Sequence, residues 1–427
     1  MVLSVGAAVG HAENWPQWRG PQGNGVSPLT GVPTTWDRET NVKWQTSLAE
    51  PGNSTPVVWG DAIFLAQPRS EQQQRGLLCF DRETGLLRWQ TSVPYEEEEA
   101  THRTNPYCSS SPVTDGERVM VWLGSAGLHC FDMQGNRLWQ RDLGPQSHMW
   151  GYGTSPILVG SLCILNFGPG TQEKLLAVDK TTGDTVWEVA ALEDADELAL
   201  SGHENNGNAD PPKEDASRAE ILRGSWGTPI VVNAAGRQEL VVAHPRRITA
   251  YNPQTGELLW TCGGYAPLVY ASPMYGDGHI VALGGYAGAS LAVRPGGNGN
   301  VTETHRAWHK PRDGSWLGTG VVHEGHLYIG DMQGILHCIK LDTGDVAWKE
   351  RLPGSSGRGD TWSSITMSGD GLMYLLNQGG DTFVFRPSPK GYEQIARNAL
   401  GEDTNASIVL TNGQVLIRTQ QSLWCIE

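Results

Sequence analysis

The stretch Leu78-Cys-Phe-Asp-Arg-Glu-Thr-Gly-Leu-Leu-Arg-Trp89 decides the fold, because the chain repeats it. Leu176-Ala-Val-Asp-Lys-Thr-Thr-Gly-Asp-Thr-Val-Trp187, Thr249-Ala-Tyr-Asn-Pro-Gln-Thr-Gly-Glu-Leu-Leu-Trp260 and His337-Cys-Ile-Lys-Leu-Asp-Thr-Gly-Asp-Val-Ala-Trp348 are counterparts, and Leu128 to Trp139 is a shortened copy. In each, an apolar strand ends on a turn. Asp or Asn opens the turn by bonding its own backbone. Gly85, Gly183, Gly256 and Gly344 supply a left-handed position that a side chain resists. A second strand then ends in Trp, a large apolar plate with one N–H that wedges against a neighbouring unit.

The unit also has a recurring start. Ser54-Thr-Pro56, Ser110-Ser-Pro112, Thr154-Ser-Pro156, Gly227-Thr-Pro229 and Ala271-Ser-Pro273 align, with Gly318-Thr-Gly320, Trp362-Ser-Ser364 and Asn405-Ala-Ser407 as looser copies. That gives eight starts, against Trp strands ending at 44, 89, 139, 187, 260, 308 and 348, with Tyr392 to Ala396 in that place in the seventh unit. The last unit stops one strand short, and the Trp44 strand precedes every start, so together they complete one four-stranded unit. Repeats of about 40–50 residues with a ring closed by both chain ends predict an all-β, eight-bladed β-propeller of four-stranded antiparallel blades over 41–427. A β-solenoid, the alternative for such repeats, leaves the split unit unexplained.

Composition agrees. The 427 residues include 54 Gly and 25 Pro, the excess of a chain that turns often. Against 31 basic residues stand 46 acidic ones, a net charge of −15 that argues against tracking nucleic-acid phosphates or an anionic membrane surface. No apolar run reaches the ~18 residues of a membrane span. Residues 1–12, apolar and ending on Gly10 and Ala12 at small positions, read as the remnant of an export signal peptide, which places the protein in the periplasm or otherwise outside the cytoplasm. Residues 13–40 form an N-terminal extension expected to pack on the propeller. The seven Cys include no C-x-x-C pair, so neither a zinc ribbon nor a c-type haem site is supported. Cys79, Cys130, Cys338 and Cys425 share one register, filled by Ala177, Ala250 and Ala292 elsewhere, as expected of a small core position. His305 and His309 lie on a Trp-bearing strand, where a spacing of four is long for shared ligands, so no metal site is expected.

The Asp/Asn-x-x-Thr-Gly-x-x-x-Trp line resembles the repeat of the PQQ-type (quinoprotein) propellers, and Asn14-Trp-Pro-Gln-Trp-Arg-Gly-Pro-Gln-Gly-Asn-Gly25 looks like the N-terminal signature of an exported bacterial subgroup. The resemblance implies one of two roles. Quinoprotein dehydrogenases hold PQQ and calcium at the propeller axis. BamB-like scaffolds of outer-membrane protein assembly have the same blades and no cofactor. This chain lacks the vicinal Cys-Cys pair of several of those enzymes and the lipid-anchored Cys of the scaffold, so the repeat implies the fold and leaves the function open.

Loops joining successive blades gather at one mouth of the axial channel, and here they are polar and aromatic. Arg103, Arg223, Arg312 and Arg358 offer cations for a small acidic ligand such as PQQ, and Trp150, Trp226, Trp316 and Trp362 offer flat rings to stack on it. Asn405 completes the ring, and Asp313 or Asp360 is the candidate general base or calcium ligand. The bland reading is that the Trp residues pack the hub and the Arg–Asp pairs tie loops. An insertion at 192–223 carries nine acidic and three basic residues and reads as a lid or a solvated excursion. The reading that follows is an exported, monomeric, non-catalytic propeller binding a protein partner or small acidic ligand at the mouth. The alternatives are a PQQ- and calcium-dependent dehydrogenase or electron-transfer quinoprotein and, more remotely, a hydrolase using mouth carboxylates.

Overall fold

In the computed structural model the residues described are 13–170, 172–190, 224–286, 288–354 and 360–427. The expected export signal at 1–12, the insertion at 192–223, Arg223 and Arg358 lie outside them.

The chain forms eight antiparallel blades around an axis. The first blade is Val57–Trp59, Ala62–Arg69, Gln74–Asp81 and Leu87–Gln90, and six more follow in chain order. The eighth combines Val409–Thr411, Gln414–Arg418 and Ser422–Ile426 with Val42–Ser47 from the other end of the chain, which pairs antiparallel on Ser422–Ile426. Joining the ends leaves no open seam in the ring.

The repeated line is an inter-blade lock. Every outer ladder shifts register by one residue just before its terminal Trp or the Ala that replaces it, as where Cys79 faces Trp89 but Phe80 faces Leu87. Such a bulge bends the strand and increases its twist. It leaves Arg88, Leu138, Val186 and their equivalents as the extra, unpaired residues. The Trp then lies across the turn of the next blade. The indole N–H of Trp44 donates to Arg82 O (2.9 Å), that of Trp89 to Met133 O (3.0 Å) and that of Trp139 to Lys180 O (3.0 Å). The turn glycine is therefore needed twice. Gly183 sits at φ +77°, and a Cβ there would fall 2.7 Å from the Trp139 ring.

The N-terminal stretch 13–40 runs over the ring and contacts several blades. Trp15 bridges Val58 in blade 1, Pro16 O accepts from Thr114 N in blade 2, and Gly25 and Ser27 pair with Met367 in blade 7. Arg19 is buried and donates to Ile365 O (2.6 Å), Gly320 O (2.9 Å) and Asn24 O (3.2 Å). Burial among carbonyls pulls its guanidinium down to about 9.

All seven cysteines are buried and free. Cys79, Cys130, Cys338 and Cys425 face Trp89, Trp139, Trp348 and Trp44 across the outer ladders, as Ala177 and Ala250 face Trp187 and Trp260. A small side chain there makes room for the indole. No helix among the described residues is long and apolar enough to cross a membrane.

Candidate functional site

The innermost strands begin at the axis, and their first hydroxyl residues form a closed collar. The N–H of Thr55 donates to Ser111 Oγ (2.9 Å), Ser111 to Ser155 (2.9 Å), Ser155 to Thr228 (3.0 Å) and Thr228 to Ser272 (2.8 Å). Ser272 then donates to Thr319 (3.1 Å), Thr319 to Ser364 (2.9 Å), Ser364 to Ser407 (3.0 Å) and Ser407 back to Thr55 (3.1 Å). Each blade thus satisfies one buried N–H of the blade before it, which is why Ser or Thr recurs at the start of the unit. In the two loosest starts the collar residue is Ser364 and Ser407, one position later than in the aligned triplets. The sequence offered those triplets only as unit boundaries, and their shared hydrogen-bonding role was missed.

Above the collar lies a cavity of about 250 Å³. Six collar residues, Thr55, Ser111, Ser155, Thr228, Ser364 and Ser407, line its depth together with Trp18. Trp18 and Thr228 also line a second cavity walled by Pro156–Gly160 and Pro229–Val231.

The two sides of the cavity differ. One is aromatic. Trp226 lies 6.1 Å from Trp150 and 5.3 Å from Tyr270, and Tyr286 lies 5.9 Å from Trp150 and 5.5 Å from Tyr270, ring centroid to ring centroid. His148 packs edge-on against Trp226 at 4.7 Å. The opposite side is built of amides and hydroxyls. Asn53 and Asn405 both donate to Thr104 O (2.9 and 3.0 Å), Gln378 donates to Asn405 Oδ1 (2.8 Å), and Asn105 donates to Trp150 O and Tyr152 O (2.7 and 2.9 Å). These bonds tie the loops of blades 1, 2, 7 and 8 into one rim. His102 Nδ1 accepts from Thr104 N (3.3 Å) and lies 2.7 Å from Thr104 Oγ1, which in the neutral ring puts the proton on Nε2.

Of the residues expected at the mouth, Trp150, Trp226, Trp362 and Asn405 line this cavity. Trp316 is turned into the packing between blades, 1% exposed and edge-on to His337 at 4.9 Å. Arg103 and Arg312 are exposed to solvent and do not line the cavity, and neither do Asp313, half-buried, and Asp360, exposed. Arg223 and Arg358 lie outside the described residues. Tyr286 and Asn53 also line the cavity, beyond the residues expected at the mouth. Tyr286 comes from the connection between the second and third strands of blade 5, not from a loop between blades.

The described lining residues include no Lys, Arg, Asp or Glu. Among them the titratable side chains are His102, Tyr270 and Tyr286. A quinone tricarboxylate calls for guanidinium or ammonium partners, and calcium for six to eight oxygens that include carboxylates. Neither donor set is present among the described lining residues, and two of the four candidate guanidinium groups, Arg223 and Arg358, lie outside the described residues. Nor do the described residues contain a cluster of three or more His, Cys, Asp or Glu placed to hold a metal.

Known proteins of this shape include both kinds anticipated. BamB from Moraxella catarrhalis superposes with a TM-score of 0.59 at 15% identity, covering 90% of this chain and 96% of that one. Quinohemoprotein alcohol dehydrogenase from Comamonas testosteroni gives 0.65 at 11%, covering 97% and 80%, and the ADHIIG enzyme of Pseudomonas putida HK5 gives 0.64 at 12% over the same shares. At these identities the likeness is one of fold alone. No curated protein sequence matches the chain. The family model described as outer membrane protein assembly factor BamB matches residues 31–209, 171–293, 213–350 and 247–384. Those matches span well over half of the sequence, and with the eight-bladed ring they show that the chain belongs to this BamB-type family of PQQ-like β-propellers.

Proposed function

We propose that the protein is an exported, non-catalytic propeller that binds a partner or ligand through the cavity at its channel mouth. The observation that carries this reading is that the described lining puts aromatic rings opposite amides and hydroxyls, with no Lys, Arg, Asp or Glu among the described residues. Recognition needs apolar surface and a few fixed polar groups. Acid–base or nucleophilic chemistry needs a group tuned to move a proton or attack a bond. Asp313 and Asp360, the candidate bases, do not line the cavity. The family, described by an outer-membrane assembly factor, supports an exported location and a scaffold role.

The test is a titration with PQQ, with and without calcium, followed by tryptophan fluorescence. Trp150 and Trp226 stand in the cavity wall and report on its contents. The reading expects no saturable, calcium-dependent quenching. Saturable quenching that requires calcium and is lost in Trp226→Ala overturns it in favour of a quinoprotein.

A further inference from the structure

We propose that the mouth cavity binds the terminal ring of a neutral saccharide, an inference that rests on the reading of the mouth as a binding site and names the chemistry of its ligand. Three observations converge on it.

The first is the aromatic wall. Trp150, Trp226, Tyr270 and Tyr286 form a continuous surface with neighbouring centroids 5.3–6.1 Å apart. Tyr286 remains 54% exposed, and its backbone is held at φ +41°, a region bulky residues rarely adopt. Conformations of that kind concentrate at binding sites, where the surrounding structure holds them against their cost.

The second is an excess of hydrogen-bond donors. Tyr270 Oη and Trp362 Nε1 are shielded from solvent, belong to side chains that line the cavity, and have no hydrogen-bond partner among the described residues. Burial pushes the Tyr270 phenol up, so it stays a donor at any physiological pH. The collar hydroxyls each accept a backbone N–H, which leaves their own protons to donate, and His102 Nε2–H adds another. Such a wall calls for a ligand rich in acceptor oxygens.

The third is charge. An anion meets aromatic faces of negative partial charge in a protein of net charge −15. A cation meets a surplus of donors. A purely apolar molecule leaves the donors unmet. A pyranose ring avoids all three penalties, since its C–H face stacks on the aromatic wall and its hydroxyls and ring oxygen accept from the donors. The cavity, about 250 Å³, falls just under the usual range of about 300–1,000 Å³ for small-molecule sites, so it seats one ring with the rest of the chain outside.

The experiment is calorimetric and fluorescence titration of the full chain with cellotetraose, chitotetraose and maltotetraose. The expected result is saturable binding of at least one, unchanged by salt, with the dissociation constant raised at least ten-fold in Trp226→Ala and in Tyr286→Ala. The exposed position of Tyr286 keeps its variant folded should the Trp226 variant fail, and an unchanged melting curve verifies this. Absence of saturation by all three tetrasaccharides, or binding indifferent to Tyr286→Ala, overturns the proposal. If the saccharides fail and PQQ with calcium is silent too, the ligand class is wrong while the non-catalytic reading stands. If the saccharides fail and PQQ with calcium binds in a Trp226-dependent way, both fall.

Discussion

At the scale of single residues, two small positions do more than their size suggests. Gly183 combines a left-handed backbone with contact against Trp139. Gly183→Ala therefore meets conformational strain and overpacking together, and the expected loss is about 2–4 kcal/mol in denaturant unfolding. Ser155 is a collar residue whose hydroxyl accepts the N–H of Ser111 at 2.9 Å in a buried setting. Ser155→Ala strands that N–H and is expected to cost about 1–3 kcal/mol, whereas Ser155→Thr restores the acceptor, as Thr228 does in the next blade. Equal stability of the two variants counts against the collar as a hydrogen-bonded ring. The candidate site was legible in part for the same reason. An aromatic residue just before a blade start announces the mouth, and Trp150, Trp226 and Trp362 do line it. Whether a given ring turns to the axis or into the blade interface depends on its neighbours. Trp316 sits beside His337, which takes its edge, and nothing in the sequence near 316 signals that contact.

At the scale of the element, the outer hairpin was read almost completely from sequence, because its Asp/Asn, Gly and Trp act within a dozen residues of one another. Asp81 Oδ1 accepts from Glu83 N and Thr84 N (3.1 and 2.9 Å), and Asp179 Oδ1 from Thr181 N and Thr182 N (2.7 and 3.1 Å). The Arg88 side chain, helped by Thr84, holds Asp81 down at about 2, and the turn N–H bonds hold Asp179 below the usual range. Both are depressed acids, so their contribution is present above the unfolded carboxylate range near 4 and is lost as pH falls through the folded value. Asn252 fills the same place in blade 4 with a bond to Gln254 N at 2.9 Å, and thus marks the neutral substitute. In Asp179→Asn the turn keeps its acceptor and loses the charge. Urea midpoints of the two proteins are expected to differ most at neutral pH and to converge as pH drops below about 4. A difference independent of pH removes the charge from the account. The bulge before each Trp was not legible, since an extra residue in a ladder shows only when the partner strand is known.

At the scale of the whole molecule, what holds the ring is distributed: the collar at the axis, the Trp–Gly contacts at the rim, and the eighth blade shared by both chain ends. The ring count was legible because a closed propeller needs a whole number of blades, and the incomplete last unit and the orphan Trp44 strand supply each other's missing part. Which blades the N-terminal extension meets was not, because its partners, such as Ile365 and Gly320 for Arg19, lie more than 300 positions away. A ring closed in this way has few means of opening one blade alone, because each collar bond spans two blades. The cysteines can test this. All seven are buried. Burial pushes Cys79, Cys108, Cys130, Cys262 and Cys425 up to about 12 and Cys338 to about 11, and Cys163 rises as well. Shielded and protonated thiols do not attack disulfide reagents, so the native protein is expected to titrate none at neutral pH and all seven once denatured. In mild denaturant the rate of labelling reports opening. If closure makes the ring one cooperative unit, thiols of blades as far apart as Cys79 in blade 1 and Cys338 in blade 6 react at a single rate, read residue by residue by mass spectrometry. Staggered rates, with Cys425 leading because its blade alone is assembled from both ends of the chain, show instead that the ring opens at its clasp, and the collar then secures neighbouring blades without making them one unit.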